Sequence, residues 1–131
     1  MVVEVLIATS IITVSVLAAT AVAQKSIYVS HQAFHTTQAN FLLEEGGEFA
    51  RIERDNAWDN ITTLNSSEQI GIFTRTIITS SVSRDNSSKD IVSTGGTLDP
   101  GTKLVTVTVF WQEGGQTINK LLQFYLSDIF S

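Results

Sequence analysis

Residues 1–24, MVVEVLIATSIITVSVLAATAVAQ, decide how the rest of the chain is read. They carry a single charge, Glu4, and from Val5 to Ala23 there is no Asp, Glu, Lys, Arg, His, Asn or Gln. A stretch of that length, coiled as an α-helix, reaches about 28 Å, close to the roughly 30 Å hydrocarbon core of a bilayer. It is thin and hydroxyl-bearing for a span. Thr9, Ser10, Thr13, Ser15 and Thr20 interrupt it, and Ala8, Ala18, Ala19, Ala21 and Ala23 keep its girth small. Small and hydroxyl residues let helices approach one another closely where no water drives them together.

The acid argues against two simpler readings. A secretory signal has a positive start, whereas here no Lys or Arg precedes Lys25. A passive membrane anchor gains nothing from a carboxylate one turn from the end of its apolar run. A carboxylate taken into an apolar bundle costs several kcal/mol unless it is paired and hydrogen-bonded. Glu4 therefore calls for a cationic partner. As a first-turn acid it also has the favourable end of the helix dipole.

The order of these features, a short apolar start, one Glu, then an apolar helix running into an amphipathic one, resembles the N-terminal segment of mature type IV pilins and pseudopilins. In that family a prepilin peptidase removes a leader, the new terminal amine is methylated, and the Glu meets the amine of a neighbouring subunit. The resemblance implies that Glu4 is the assembly carboxylate and that Met1, or a residue before it, supplies the amine. The family carries Glu at its fifth mature position and a helix-kinking proline in the apolar half. Here the acid is residue 4 and the one proline is Pro100. Any local opening of the helix would then come from β-branched and hydroxyl residues.

Composition limits the remainder. The chain's 131 residues hold one globular domain plus a long helix. There is no cysteine, hence no disulfide, no thiolate nucleophile and no cysteine metal site. A net charge of −5 argues against binding nucleic acid by neutralising phosphates.

From Lys25 the helix is expected to continue as an amphipathic rod to Arg54 or Trp58. Ile27, Phe34 and Phe41 recur at sevens, and Leu42, Glu45, Phe49 and Ile52 follow at threes and fours. Gly46-Gly47 predicts a bend or a close packing contact. The segment FLLEEGGEFARIERDNAW, residues 41–58, also resembles a stretch that follows the apolar helix in pilin-like proteins. Asp55-Asn56 and Asp59-Asn60, around Trp58, read as the helix end.

Beyond it, KLVTVTVFWQ, residues 103–112, alternates apolar and polar. Gly114-Gly115 is a two-residue hairpin signal, and Gln116 to Leu126 is the returning strand. With the glycines at the tip, Trp111 pairs with Ile118, Val107 with Leu122 and Val105 with Phe124, all on one face, which is expected to cover the helix. Lys120, opposite Val109, breaks that face and its stem would snorkel. Ile70 to Val82 is expected as one further strand. Asp85 to Thr102 is expected as loop with a short strand near Ile91. Thr74, Thr76, Thr79, Ser80, Ser81 and Ser83 suit a wet outer face.

Residues that could carry chemistry are few. His31 and His35 lie four apart on a helix, a metal-capable spacing, but no HExxH motif or cysteine completes a shell. Glu44, Glu45 and Glu48 read as a solvated or inter-subunit face rather than general acids. The Asp85–Asp90 loop is rich in oxygen donors, yet Lys89 falls where calcium would need a ligand. No nucleophile elbow is present. Asn60, Asn65 and Asn86 begin glycosylation sequons.

The expectation is therefore an α+β, pilin-like chain. Residues 1–24 are the apolar transmembrane or filament-core helix, protruding. Residues 25–58 continue it amphipathically, packed on a small antiparallel β-sheet. Residues 59–131 form the sheet and loops, and with 25–58 make one head. No catalytic, metal or cofactor site is expected, and no enzymatic activity. The function implied by the resemblance is a structural subunit of a surface filament. Its partners would be identical subunits, the membrane before assembly, the prepilin peptidase and the pilus assembly machinery, and it would bind no nucleic acid. Two alternatives are a minor pilin or pseudopilin acting in fibre priming, secretion or competence, and a monomeric membrane-anchored binding module.

Overall fold

The structure, a computed structural model, describes residues 1–130. The fold is α+β, one long N-terminal helix followed by a small antiparallel sheet. Helix α1 spans Val2–Asn56 and a one-turn α2 follows at Trp58–Thr62. Five strands follow among the described residues: β1 Asn65–Ile70, β2 Phe73–Arg84, β3 Ile91–Val92, β4 Thr97–Glu113 and β5 Gln116–Ser127. The chain divides into two compact units, Met1–Thr37 and the part that begins at Gln38.

The first unit is helix alone, and residues 1–31 are all exposed. One 18-residue window within α1 is long and apolar enough to cross a membrane, and none of it is buried. Its hydroxyls are satisfied within the helix. Thr9 donates to the Val5 carbonyl at 2.9 Å, Ser10 to Leu6 at 2.7 Å, Thr13 to Thr9 at 2.7 Å, Ser15 to Ile11 at 2.8 Å and Thr20 to Val16 at 2.8 Å. Each polar group is thereby hidden from an apolar surrounding, which is how a segment with five hydroxyls remains compatible with lipid or with neighbouring helices.

In the second unit the sheet order is β1-β2-β4-β5, all antiparallel, with β3 on the outer side of β2. The β4–β5 hairpin has the register read from the sequence, Trp111↔Ile118, Val107↔Leu122 and Val105↔Phe124, with Lys120 opposite Val109. Gly114 and Gly115 both take positive φ, 58° and 78°, as a two-residue primed turn requires. Phe73, Ile77, Val105, Val107, Val109 and Trp111 form the buried inner face, with Ala39, Leu43 and Ala50 of α1 and Ile61 of α2 in the same core. The Phe73 and Trp111 rings meet edge-on at 5.4 Å.

Several expectations require correction. The helix meets the sheet through Ala39, Leu43, Gly46, Gly47 and Ala50, with Leu42 of the periodic set partly buried beside them. Ile27, Phe34, Phe41, Phe49 and Ile52 are exposed. The inner face of the sheet already supplies bulk through Trp111, Phe73 and three valines, so the helix facing it must be thin. A Cβ on Gly46 would stand 2.7 Å from Val107 Cγ1. Gly46-Gly47 is thus a close packing contact, and α1 runs through it unbroken.

The stretch Ile70–Val82 is not one strand. Gly71, at φ 60°, and Ile72 turn the chain, so Ile70 ends β1 and Phe73 starts β2 opposite it. The expected loop Asp85–Thr102 holds β3 at Ile91–Val92 but gives way to β4 from Thr97. Pro100 sits where the β2–β4 register shifts, the place in a ladder that tolerates a missing N–H. Thr79 faces inward rather than to solvent. Its hydroxyl donates to the Ile61 carbonyl at 2.7 Å, which ties β2 to α2.

Candidate assembly surface

Glu4 lies in the first turn of α1. Its carboxylate makes no ion pair or hydrogen bond among the described residues, and Met1 is 99% exposed. The backbone around it is ordinary helix, with the Val5 N–H donating to the Met1 carbonyl at 3.2 Å. The side chains about it, Met1, Val2, Val3, Val5, Leu6 and Ile7, are all exposed and apolar. Together they present one unmatched carboxylate on a bare apolar surface. Such a surface can bury itself in lipid or against another apolar helix, where an unpaired carboxylate is costly.

Farther along α1, the exposed Ile27 and Phe34 mark one apolar line in the first unit, and Phe41 and Ile52 mark one in the second. These residues belong to the periodic set read from the sequence, and they are left exposed. Hydrophobic periodicity identified the face but not its occupant.

The acidic cluster divides by role. Glu45 Oε2 lies 3.1 Å from Arg75 Nη1, and Glu68 Oε2 of β1 lies 2.8 Å from Arg75 Nη2. Arg75 itself is buried and also donates to the Leu42 carbonyl at 3.4 Å. One guanidinium thus joins α1, β1 and β2 and carries two carboxylates. Glu48 pairs with Arg51 on the helix surface, and Arg51 lies over the Phe124 ring at 5.0 Å. Sequence reading singled out Glu45 but missed Glu68 and Arg75. The signal of Arg75 was a cation alternating with Phe73 and Ile77 on the inward positions of β2.

His31 and His35 stand with ring centroids 6.4 Å apart and tilted. No group of three or more His, Asp or Glu residues able to hold a metal occurs among the described residues. The Asp85–Asp90 loop is organised by its own bonds. Asp85 Oδ1 accepts the N–H groups of Ser87 and Ser88, each at 2.8 Å, and those two bonds, the Ser88 one foremost, hold the carboxyl below its ordinary pKa. Arg84 pairs with Asp99 at 2.6 Å and donates to the Lys89 carbonyl at 3.0 Å.

The sequon asparagines are all exposed. Asn60 lies on α2 with its amide donating to Glu53 Oε2 at 3.0 Å, Asn65 starts β1, and Asn86 accepts the Thr97 hydroxyl at 2.6 Å. Comparison of the chain with family models, with curated proteins and with solved structures returned no match.

Proposed function

We propose that this chain is the structural subunit of a helical surface filament of the type IV pilus kind, held in the membrane before assembly and polymerised through its apolar N-terminal helix. The observation that carries the reading is Glu4, a lone carboxylate with no partner of its own on an apolar helical segment, residues 1–24, that is exposed along its whole length. In the polymer the terminal amine of a neighbouring chain lies against it. The pair acts chiefly as a register device, because a shifted neighbour leaves both charges buried and unpaired, at a cost of about 3–5 kcal/mol. The bare stripes at Ile27 and Phe34, and at Phe41 and Ile52, are covered by other copies. The hydrogen-bonded threonines and serines allow close helix–helix approach.

The test is assembly of the full chain with and without its acid. Glu4→Gln keeps size and helix, so the protein should remain folded and membrane-inserted while yielding few or no sheared fibres in negative stain. Normal fibre yield from Glu4→Gln, or only monomers from the unaltered chain under conditions that preserve fibres, would overturn the reading.

A further inference from the structure

The two edge strands of the sheet, β1 and β5, run in opposite directions, because the strands alternate in direction along β1-β2-β4-β5. When two copies stand side by side with the same polarity, β5 of one therefore lies antiparallel to β1 of the next.

The backbone of each edge is open. Two-residue hairpins close on a pair that exchanges both hydrogen bonds, and bonding alternates from there. The β4–β5 turn closes on Glu113↔Gln116, so Ile118, Lys120, Leu122 and Phe124 bond β4, while Thr117, Asn119, Leu121 and Gln123 aim N–H and C=O at the open side. The β1–β2 turn closes on Ile70↔Phe73, so Asn65, Ser67 and Gln69 of β1 aim outward in the same way. Strand β5 is twelve residues long, keeps its register with β4 throughout, contains no proline and bears one charge, Lys120. Of the devices that protect a solvent-facing edge, β5 lacks a bulge, a proline and brevity, and its one safeguard is the inward-pointing Lys120.

The charges select the register. Lys120 and Glu68 are the only charged residues of β5 and β1, and both lie on the face that bears α1. Lys120 stands opposite Val109 and makes no ion pair among the described residues. Glu68 shares the single Arg75 guanidinium with Glu45, which leaves one negative charge in excess. Setting Glu68 opposite Lys120 also sets Ile70 opposite Ile118, Gln69 opposite Asn119, Ser67 opposite Leu121 and Asn65 opposite Gln123. The outward-aimed residues of one edge then face those of the other, so the ladder closes. A one-residue slip misaligns the bonding groups and puts each side chain on the wrong face.

We infer that β5 of one copy receives β1 of the next as an added antiparallel strand, in the Lys120–Glu68 register, so that neighbouring heads share one continuous sheet. The contact is heterologous and does not close on itself, as an open helical polymer requires. The inference rests on the filament reading and deepens it.

The chain has no cysteine, which makes the test clean. Ser67→Cys and Leu121→Cys are introduced together in the full chain, filaments are assembled under reductant, sheared, oxidised and resolved without reductant. Opposed residues of a bonded antiparallel pair lie about 5.5 Å apart at Cα, within disulfide range. The expected result is a ladder of dimers, trimers and higher species. It should be absent from either single variant and from the slipped pair Ser66→Cys with Leu121→Cys. Filaments that form without a ladder overturn the shared sheet and leave the filament reading standing. Dimers alone from Leu121→Cys mean that two β5 edges meet each other, and overturn it too. If the cysteine pair blocks assembly, Lys120→Glu decides. It should lower filament yield severalfold, with partial recovery on adding Glu68→Gln, whereas unchanged yield overturns the inference. An unaltered chain that makes no filaments sinks both readings.

Discussion

At the scale of single residues, neighbouring glycines do opposite work. Gly46 exists because Val107 leaves no room for a methyl group, since a Cβ there would also lie 3.3 Å from Arg75 Cδ. Gly47 is less constrained, its nearest neighbours being Leu122 and Phe124 at 3.5 Å, an ordinary contact distance. Gly46→Ala should therefore lower stability by about 1–3 kcal/mol through overpacking. Gly47→Ala should raise it by up to about 1 kcal/mol through helix propensity. Denaturant midpoints moving in opposite directions would bear this out. Asp99 gives a second prediction. The Arg84 hydrogen bond, then that of Thr102, holds its carboxyl below the ordinary value of 3.8. The folded state thus binds fewer protons than the unfolded one, so the contribution is present above that value and is lost as pH falls through the lower folded one. Unfolding midpoints measured down through the acid range should fall less steeply for Asp99→Asn than for the unaltered chain.

At the scale of elements, the hairpin was legible because turn chemistry and strand alternation agree. Both central residues need positive φ, and both are glycine. A Cβ on Gly115 would touch nothing within 4 Å, so a substitution there meets only backbone strain. Gly115→Val should cost about 1–2 kcal/mol in thermal or chemical unfolding, while Gly114→Asn should be nearly neutral because asparagine tolerates this conformation. The β1–β2 hairpin was not legible, for a physical reason. Its turn holds only one glycine, Gly71, beside Ile72, and β1, NSSEQI, reads as loop by composition. Its strand state comes from pairing with β2. The start of β4 was hidden in the same way, since Thr97 to Pro100 becomes strand only because Val82 to Arg84 lies alongside.

At the scale of the whole molecule, burial in α1 begins at Ala39, and no residue before it is buried. Removing residues 1–24 therefore removes no core side chain. The fragment from Lys25 onward should be soluble without detergent and unfold in one cooperative transition by circular dichroism. An aggregated or molten fragment would mean that the head depends on its apolar helix. The candidate surface was legible in its chemistry but not in its extent. Glu4 and the apolar run are visible in residue types alone, whereas the free stripe at Phe41 and Ile52 appears only once Ala39, Leu43 and Ala50 are seen to take the sheet.

The sequence by itself determined the long helix, its apolar and hydroxyl-bearing first half, the unmatched acid at its start and the register of the last hairpin. Each of these follows from interactions within a few residues along the chain or across one turn. Only the tertiary structure decided which face of α1 meets the sheet, because that choice depends on volume supplied from far away by Trp111, Phe73 and the valines of β4. It alone decided that Arg75 gathers Glu45 and Glu68, and that β1 and β5 are the open edges. Strand order and charge placement are properties of long-range pairing, which no local pattern encodes.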